Sequence, residues 1–334
     1  MSLDIDNLFS GFKKMKVAVI GDVMLDTYWW GDVERISPEA PVPVVAVSKK
    51  EQRIGGAGNV ALNVQSLDAS VALLSILGDD NDGIQLKQLL QNNNIDTRFL
   101  LKSRKRITTN KIRIISRNQQ MMRLDAEDIH DIDSIDEEKL QNQIEKYITT
   151  EKPDVVIFED YNKGILTKNI IANTIELCEK NKVPTSVDPK RKNFFSYKNA
   201  TLFKPNLVEV FTNLNLLPEE ISEEFLSGIH IQLREKTDHE ISLITLSEKG
   251  IFYQENNRKE ILPSHRRNIA DVSGAGDTVI AVASIVYAAT KNIHLAAEIA
   301  NIAGGIVCEE VGTVAINKEK LLMECKRLIL DSKA

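Results

Sequence analysis

The sequence predicts an α/β fold: a doubly wound, mostly parallel sheet with helices on both faces and a small β-sheet lid. Two observations carry this expectation. Short β-branched runs alternate with longer helical stretches, and two segments break that alternation with strand-like pairs of their own. The buried strands read KVAVI (16–20), VALLSI (71–76), VVIFE (155–159), PTSVD (184–188), TLFKP (201–205) and ISLIT (241–245). Between them the pattern gives helices over 59–67, 82–92, 137–149, 167–181 and 219–235, with two more, 275–290 and 295–310, near the carboxyl end. Apolar strands separated by helices belong to a parallel sheet covered on both faces. Ligands in such sheets bind beyond the carboxyl ends of the strands. The exceptions are PVPVVAV (41–47) and the pair 111–115 and 120–124, joined by a turn at 116–119. These predict a separate accessory sheet.

The 334 residues are 43% hydrophobic and 27% charged, which excludes disordered and collagen-like chains. Lys+Arg 42 against Asp+Glu 48 leaves −6 with no concentrated basic patch, so no nucleic-acid partner is expected. Cys178, Cys308 and Cys325 are scattered without a CxxC, as in a reducing compartment. The first residues lack the apolar core of a secretory signal. The longest nearly apolar stretch, 278–289, falls short of the roughly 20 residues a bilayer span needs. A cytoplasmic protein without a membrane partner is expected. The five histidines show no metal spacing. No G-x-x-x-x-G-K-[ST] and no strand-linked G-x-G-x-x-G occurs, which excludes P-loop and dinucleotide-binding readings.

The most informative stretch is DVSGAGD (271–277), followed at once by an apolar helix. Gly274, Ala275 and Gly276 bring backbone amides to a helix amino terminus, which makes an anion pocket. A carboxylate there, Asp277, makes sense as the base that takes the proton of an alcohol attacking phosphorus. The alternative is an acid in a first helical turn, which the helix dipole favours. Asn206 and Glu209, in KPNLVE, lie on one helical face and could organise a hydrated Mg²⁺. They equally fit an N-cap with a capping-box Glu. GGAGNVALN (55–63) sets Gly55, Gly56 and Asn59 either against sugar hydroxyls or in a turn that caps a helix. Asp26, in GDVMLD (21–26), could grip vicinal hydroxyls or simply form a turn. Lys163 and Lys190 follow strands and could hold a phosphate or stand in solvent. Tyr28, Trp29 and Trp30 read as packing or as an interface patch.

In this order the segments resemble the ribokinase-like (PfkB) carbohydrate kinases over about residues 14–330. DVSGAGD is similar to the family's second signature and GGAGNVALN to its first. The resemblance implies that Asp277 is the catalytic base, with the anion hole on Gly274, Ala275 and Gly276. It further implies Mg²⁺ and phosphate at Asn206 and Glu209, sugar hydroxyls at Asp26, and a nucleotide turn at Thr245 and Gly250. GDVMLDTYWWG, RISPEAPVPVV, RNQQMMRLD, EDYNKG and DPKR resemble the heptose-7-phosphate kinase branch of that family, whose members make a lipopolysaccharide precursor. The early Asn of GGAGN fits that branch. Ser273 in place of the commoner Thr, and DPKR without a following glycine, depart from the pattern.

The combined expectation is an ATP- and Mg²⁺-dependent kinase of a phosphosugar acceptor. Asp277 deprotonates O1, and Asp26 and Asn59 grip the sugar. Lys163, Lys190 and Arg117 hold the 7-phosphate, and adenine lies near Thr245, Gly250, Asn301 and Gly312. The kinase domain is expected over 12–331, with a discontinuous lid from about 27–50 and 104–124 and an extension at 1–11. Relatives imply a homodimer paired through the lid, for which the apolar PVPVVAV edge is suited. The alternatives are another sugar or nucleoside kinase of this family, or a silent binding protein on the same fold.

Overall fold

A computed structural model describes residues 4–117, 119–217 and 219–330. The chain opens with helix α1 (Ile5–Gly11) and strand β1 (Lys16–Gly21), then leaves for two long antiparallel strands, β2 (Val23–Ile36) and β3 (Pro43–Gly56). It returns through α2 (Ala57–Ser66), β4 (Ser70–Gly78), α3 (Asn81–Asn92) and β5 (Leu100–Ser103), and leaves again for β6 (Asn110–Ser116) and β7 (Gln119–Ala126). Then follow α4 (Ser134–Glu151), β8 (Val155–Glu159), α5 (Lys168–Asn181), β9 (Thr185–Asp188), β10 (Leu202–Phe203), α6 (Leu207–Leu214), α7 (Glu223–Thr237) and β11 (Ile241–Thr245). The hairpin β12 (Ile251–Glu255) and β13 (Arg258–Leu262) precedes α8 (Ala275–Thr290), α9 (Ile293–Val307) and α10 (Lys318–Cys325).

Among the described residues the main sheet has the order β13-β12-β11-β10-β9-β8-β1-β4-β5, parallel except for the β12 and β13 pairings. The lid has the order β3-β2-β6-β7. Both predicted sheets are present. Alternate strand residues feed two cores: Val17, Val19, Leu73 and Ile157 face one side, and Ala18, Ile20, Leu74 and Phe158 the other. Helix α8 is apolar almost all round because every residue from Asp277 to Tyr287 is buried. That burial accounts for the long apolar stretch of the sequence, and no described helix is long and apolar enough to cross a membrane.

Several elements differ from expectation. The segment 1–11, expected as an extension, carries Ile5 and Phe9 into the core from α1. Strand β2 was not expected as a strand, because its first six residues are all buried and show no alternation. The β12–β13 hairpin turns at Asn256, in the left-handed region (φ 52°), a polar turn signal that the strand reading passed over. Helix α7 begins at Glu223, not 219, because the Ser222 side chain caps it by accepting from Phe225 N at 3.2 Å. The predicted turn at 116–119 joins β6 to β7, with Asn118 outside the described residues. Two of the five histidines are buried in a structural chain: His230 Nδ1 and His239 Nε2 both meet Ser242 Oγ, at 2.8 and 2.6 Å.

What fixes the carboxyl edge of the sheet is Asp22, immediately after β1. Its buried carboxylate accepts backbone N–H groups from Tyr161 (2.8 Å), Lys163 (3.0 Å) and Ile165 (3.1 Å), folding the loop after β8 around it. Burial outweighs these bonds and raises the Asp22 pKa. Asp22→Asn keeps one acceptor oxygen but turns an NH2 donor toward the backbone N–H on the other side, either Ile165 or the Tyr161 and Lys163 pair. It should lower unfolding free energy by about 2–4 kcal/mol. Urea denaturation is the check, and an unchanged midpoint would show that the loop does not hang on this side chain.

Candidate active site

The parallel register assembles the site. Gly21 pairs with Glu159, and Glu159 pairs with Asp188, so β1, β8 and β9 end level with one another. Neighbouring strands lie about 4.8 Å apart, which puts carboxylates at these positions side by side. Lys204, just beyond β10 and 2% exposed, reaches Asp188 Oδ2 at 2.8 Å. Helix α8 then brings Asp277 down onto this edge. Glu159, Asp188 and Asp277 each offer an oxygen within 4.8 Å of the others, and all three are buried.

Gly274 caps α8 with φ 78°, a left-handed conformation that glycine adopts without strain. A Cβ at Gly274 would also stand 2.9 Å from Asn59 Nδ2. Ala275 N donates back to Val272 O at 3.3 Å, and the first turn of α8 leaves the amides of Gly276 and Asp277 without intrahelical acceptors, with Gly276 beside Lys204 and Asp188. Asp271 organises the loop ahead of the helix. It accepts from Ser273 N (3.0 Å), Ser273 Oγ (2.9 Å) and Gly312 N (2.9 Å), which ties the signature loop to the 311–313 turn.

Asp277 is held at both oxygens. Tyr161 Oη donates to Oδ1 at 2.8 Å and Asn59 Nδ2 to Oδ2 at 2.8 Å. Asn63, one turn along α2, donates to the Asn59 carbonyl at 2.9 Å and accepts from Thr278 Oγ1 at 3.1 Å, locking α2 to α8. Burial pushes the Asp277 pKa up to about 6, against the lowering effect of the two hydrogen bonds. Burial raises Glu159 well above the carboxylate range, and the neighbouring Asp188 and Asp277 raise it further. Neither Glu159 oxygen has a hydrogen-bond partner among the described residues. Asp188 goes the other way: despite burial, Lys190 and Lys204 hold its pKa down.

The lid supplies the opposite wall. Asp26 lies on β2, not in a turn, with Arg113 Nη1 against its Oδ1 at 2.5 Å. Gly55, on β3, leaves room for that carboxylate, because a Cβ there would overlap Asp26 Oδ2. Gly56 ends β3 opposite Val23. Asn59 is turned to Asp277, a contact that differs from the expected one with sugar hydroxyls. Asn206 and Glu209 form a capping box at α6, with Asn206 N donating to Glu209 Oε2 (2.9 Å) and Glu209 N to Asn206 Oδ1 (2.8 Å). Glu209 Oε1 also meets Lys190 Nζ at 2.5 Å, and Lys190 reaches Asp188 Oδ1 at 3.5 Å. The capping pair therefore sits one lysine away from the carboxylate cluster.

Of the expected phosphate holders, Lys163 pairs with Glu127 at 2.7 Å and Lys190 with Glu209. Arg117 stands exposed at the tip of the β6–β7 hairpin, six residues along β6 from Lys111, roughly 20 Å. Thr245 bridges Asn206 at the end of β11, and Leu246 N donates to Gly250 O at 2.8 Å. Asn301 Nδ2 donates to Pro263 O at 2.8 Å beside this edge. Sequence reasoning assigned no role to Glu159, Asp160, Tyr161, Asp188, Lys204, Lys111 or Arg113. Their common signal was available, since the first five stand at or just past the carboxyl ends of predicted strands. A cavity of about 510 Å³ elsewhere, near Thr185, Thr201 and Glu240 at the amino ends of β9, β10 and β11, gathers none of these groups.

The chain is 38% identical over 321 residues to the bifunctional protein HldE of Syntrophotalea carbinolica, over 95% of this chain and 64% of that protein. It is 40% identical over 311 residues to the bifunctional protein HldE of Aliarcobacter butzleri, over 92% of this chain and 64% of that one. It thus spans just under two thirds of the length of these relatives. Among solved structures it is similar in fold to Arabidopsis thaliana ribokinase complexed with ribose and ATP, with a TM-score of 0.71 at 16% identity over 92% of this chain and 98% of that one. Phosphofructokinase-2 from Escherichia coli gives a TM-score of 0.77 at 14% identity, over 94% and 100%. Residues 14–320 match the family described as pfkB family carbohydrate kinase, and the chain belongs to that family of sugar kinases.

Proposed function

We propose that this chain transfers the γ-phosphoryl group of ATP to the anomeric O1 hydroxyl of D-glycero-β-D-manno-heptose 7-phosphate, giving the 1,7-bisphosphate. The observation that carries the chemistry is Asp277, with each carboxylate oxygen held by a neutral donor at the amino terminus of a buried helix. The choice of acceptor is supported by the motifs of the first and last lid strands and of the EDYNKG and DPKR turns. Asp277 takes the O1 proton, O1 bonds to the γ-phosphorus, and the bond to the bridging oxygen breaks to release ADP. The Gly276 and Asp277 amides, with Lys204, stabilise the phosphoryl oxygens as charge shifts. Asp26 and Arg113 line the sugar side, while Thr245, Gly250, Asn301 and Gly312 line the nucleotide side.

The donor set fits Mg²⁺: the cluster offers oxygen ligands only, and among the described residues neither oxygen of the buried Glu159 carboxylate has a hydrogen-bond partner. Asp188 and Glu159, with Asn206 and Glu209 through water, are the residues that would hold it. Bound there, Mg²⁺ neutralises triphosphate charge. The lid suits a homodimer, since Met121, Met122 and Leu124 on β7 and Val42 and Val47 at the far edge are exposed. Light scattering should give twice the 37.4 kDa chain mass, and a monomer at micromolar concentration would overturn that assembly.

ATP turnover across heptose 7-phosphate, ribose, fructose 6-phosphate and adenosine tests the acceptor, with ³¹P NMR locating the new ester. The heptose should be preferred and phosphorylated at O1. Asp277→Asn should lower kcat at least about 10³-fold while leaving ATP affinity by calorimetry nearly unchanged, since the lost proton acceptor acts in the transition state. Near-normal turnover would remove Asp277 as the base.

The pH profile follows from the raised Asp277 pKa. The carboxyl must be ionised to act, so kcat/KM should fall as pH drops through about 6. Tyr161→Phe removes a donor that favours the ionised form and should move this acid limb to higher pH. A limb that stays in place would mean that Tyr161 Oη does not tune the base.

A further inference from the structure

We infer that Lys111, on lid strand β6, anchors the phosphate that the acceptor already carries, and so selects a phosphorylated over a free sugar. The inference rests on the phosphoryl-transfer reading above and deepens it.

The cations around the cleft are nearly all matched by carboxylates. Lys163 meets Glu127 at 2.7 Å, Lys190 meets Glu209 at 2.5 Å, Lys204 meets Asp188 at 2.8 Å and Arg113 meets Asp26 at 2.5 Å. Lys111 is half-buried, yet no carboxylate among the described residues lies within ion-pair distance of its Nζ. The ammonium stands 5.3 Å from the Tyr161 ring centroid, and the hydroxyl of that ring is the one bonded to Asp277. Lys111 also lies directly opposite Asp26 in the β2–β6 ladder. One tyrosine ring thus separates a cation without a direct ion-pair partner from Asp277, on the wall assigned to the sugar.

Burial and then nearby Lys163 disfavour the charged form of Lys111, and together they outweigh the support of the Asp26, Glu127 and Asp125 carboxylates, none of which pairs with it directly. A bound dianion would relieve both effects at once, whereas a neutral hydroxyl would relieve neither. A phosphate monoester on the acceptor carbon farthest from O1 has the required charge and can extend past the Tyr161 ring while O1 stays at Asp277. The expected holders Lys163 and Lys190 are already matched, and Arg117 is remote.

The test compares kcat/KM for heptose 7-phosphate and for the same heptose without its phosphate, in wild type, Lys111→Met and Lys111→Arg. Wild type should prefer the phosphorylated acceptor at least about 100-fold, the scale of one charge-assisted contact in a partly buried site. Lys111→Met should bring that preference close to parity, mostly through KM, and Lys111→Arg should restore much of it. Lys111→Gln serves if the Met variant does not fold. Calorimetric binding of heptose 7-phosphate without nucleotide should weaken in parallel. A wild type indifferent to the phosphate would overturn the phosphosugar reading itself. A wild type that discriminates while Lys111→Met discriminates equally would overturn only the assignment to Lys111.

Discussion

Parallel pairing makes like charges neighbours at the carboxyl edge of the main sheet. Because Gly21, Glu159 and Asp188 share one register level, the two acids project from adjacent strands with no freedom to separate. Helix α8 adds a third acid, Asp277, and its near-total burial prevents the helix from tilting away. Repulsion of this kind is tolerated only where the surrounding scaffold over-determines the geometry. Here the scaffold is two hydrophobic cores that grip the sheet from both faces and the Asn63–Thr278 contact that pins α2 to α8.

The same constraint explains the polar residues around the cluster. Lys204 enters from just beyond β10, the next strand over, and neutralises Asp188, the acid of the row nearest to it. Tyr161 and Asn59 donate to Asp277 without adding charge, so the carboxylate is oriented but keeps an elevated proton affinity. Tyr161 is itself aimed by Asp22, which collects the backbone of its loop. A clamp at the end of β1 therefore sets the position of a hydroxyl on the loop after β8, and that hydroxyl orients Asp277.

The legibility of the sequence followed the same physics. Strands β1, β4, β8, β9 and β11 were readable because apolar runs between helices have few alternatives in a chain of this size. Strand β2 was not, because a strand whose opening half is buried on both faces loses the alternation that marks a lid strand. Asp277, Gly274 and Asn59 were visible through their spacing in two compact motifs. The role of Asn59 was not, since its partner lies 218 residues away and only the packing of α2 on α8 brings them together. Tyr161 stood just past a predicted strand, but its contact with Lys111 had no spacing signature at all. They meet because β6 pairs with β2 in parallel and returns over the β8 loop, a tertiary relation that no local pattern encodes.

Counting formal charges at the edge shows an excess of buried negative charge. Four carboxyls, Glu159, Asp188, Glu209 and Asp277, face two ammonium groups, Lys190 and Lys204. Burial alone would resolve the excess by protonation, and the raised pKa values of Glu159 and Asp277 show the balance leaning that way. Positive charge arriving from outside reverses the lean, because it lowers the proton affinity of every carboxyl it approaches. Lys190 joins the two halves of this system, since it contacts Glu209 of the α6 capping box and Asp188 of the cluster together. The ionisation of Asp277 is thus linked to the charge in the space between α6 and α8, and an acid poised near pH 6 with two neutral donors responds to small changes in that space.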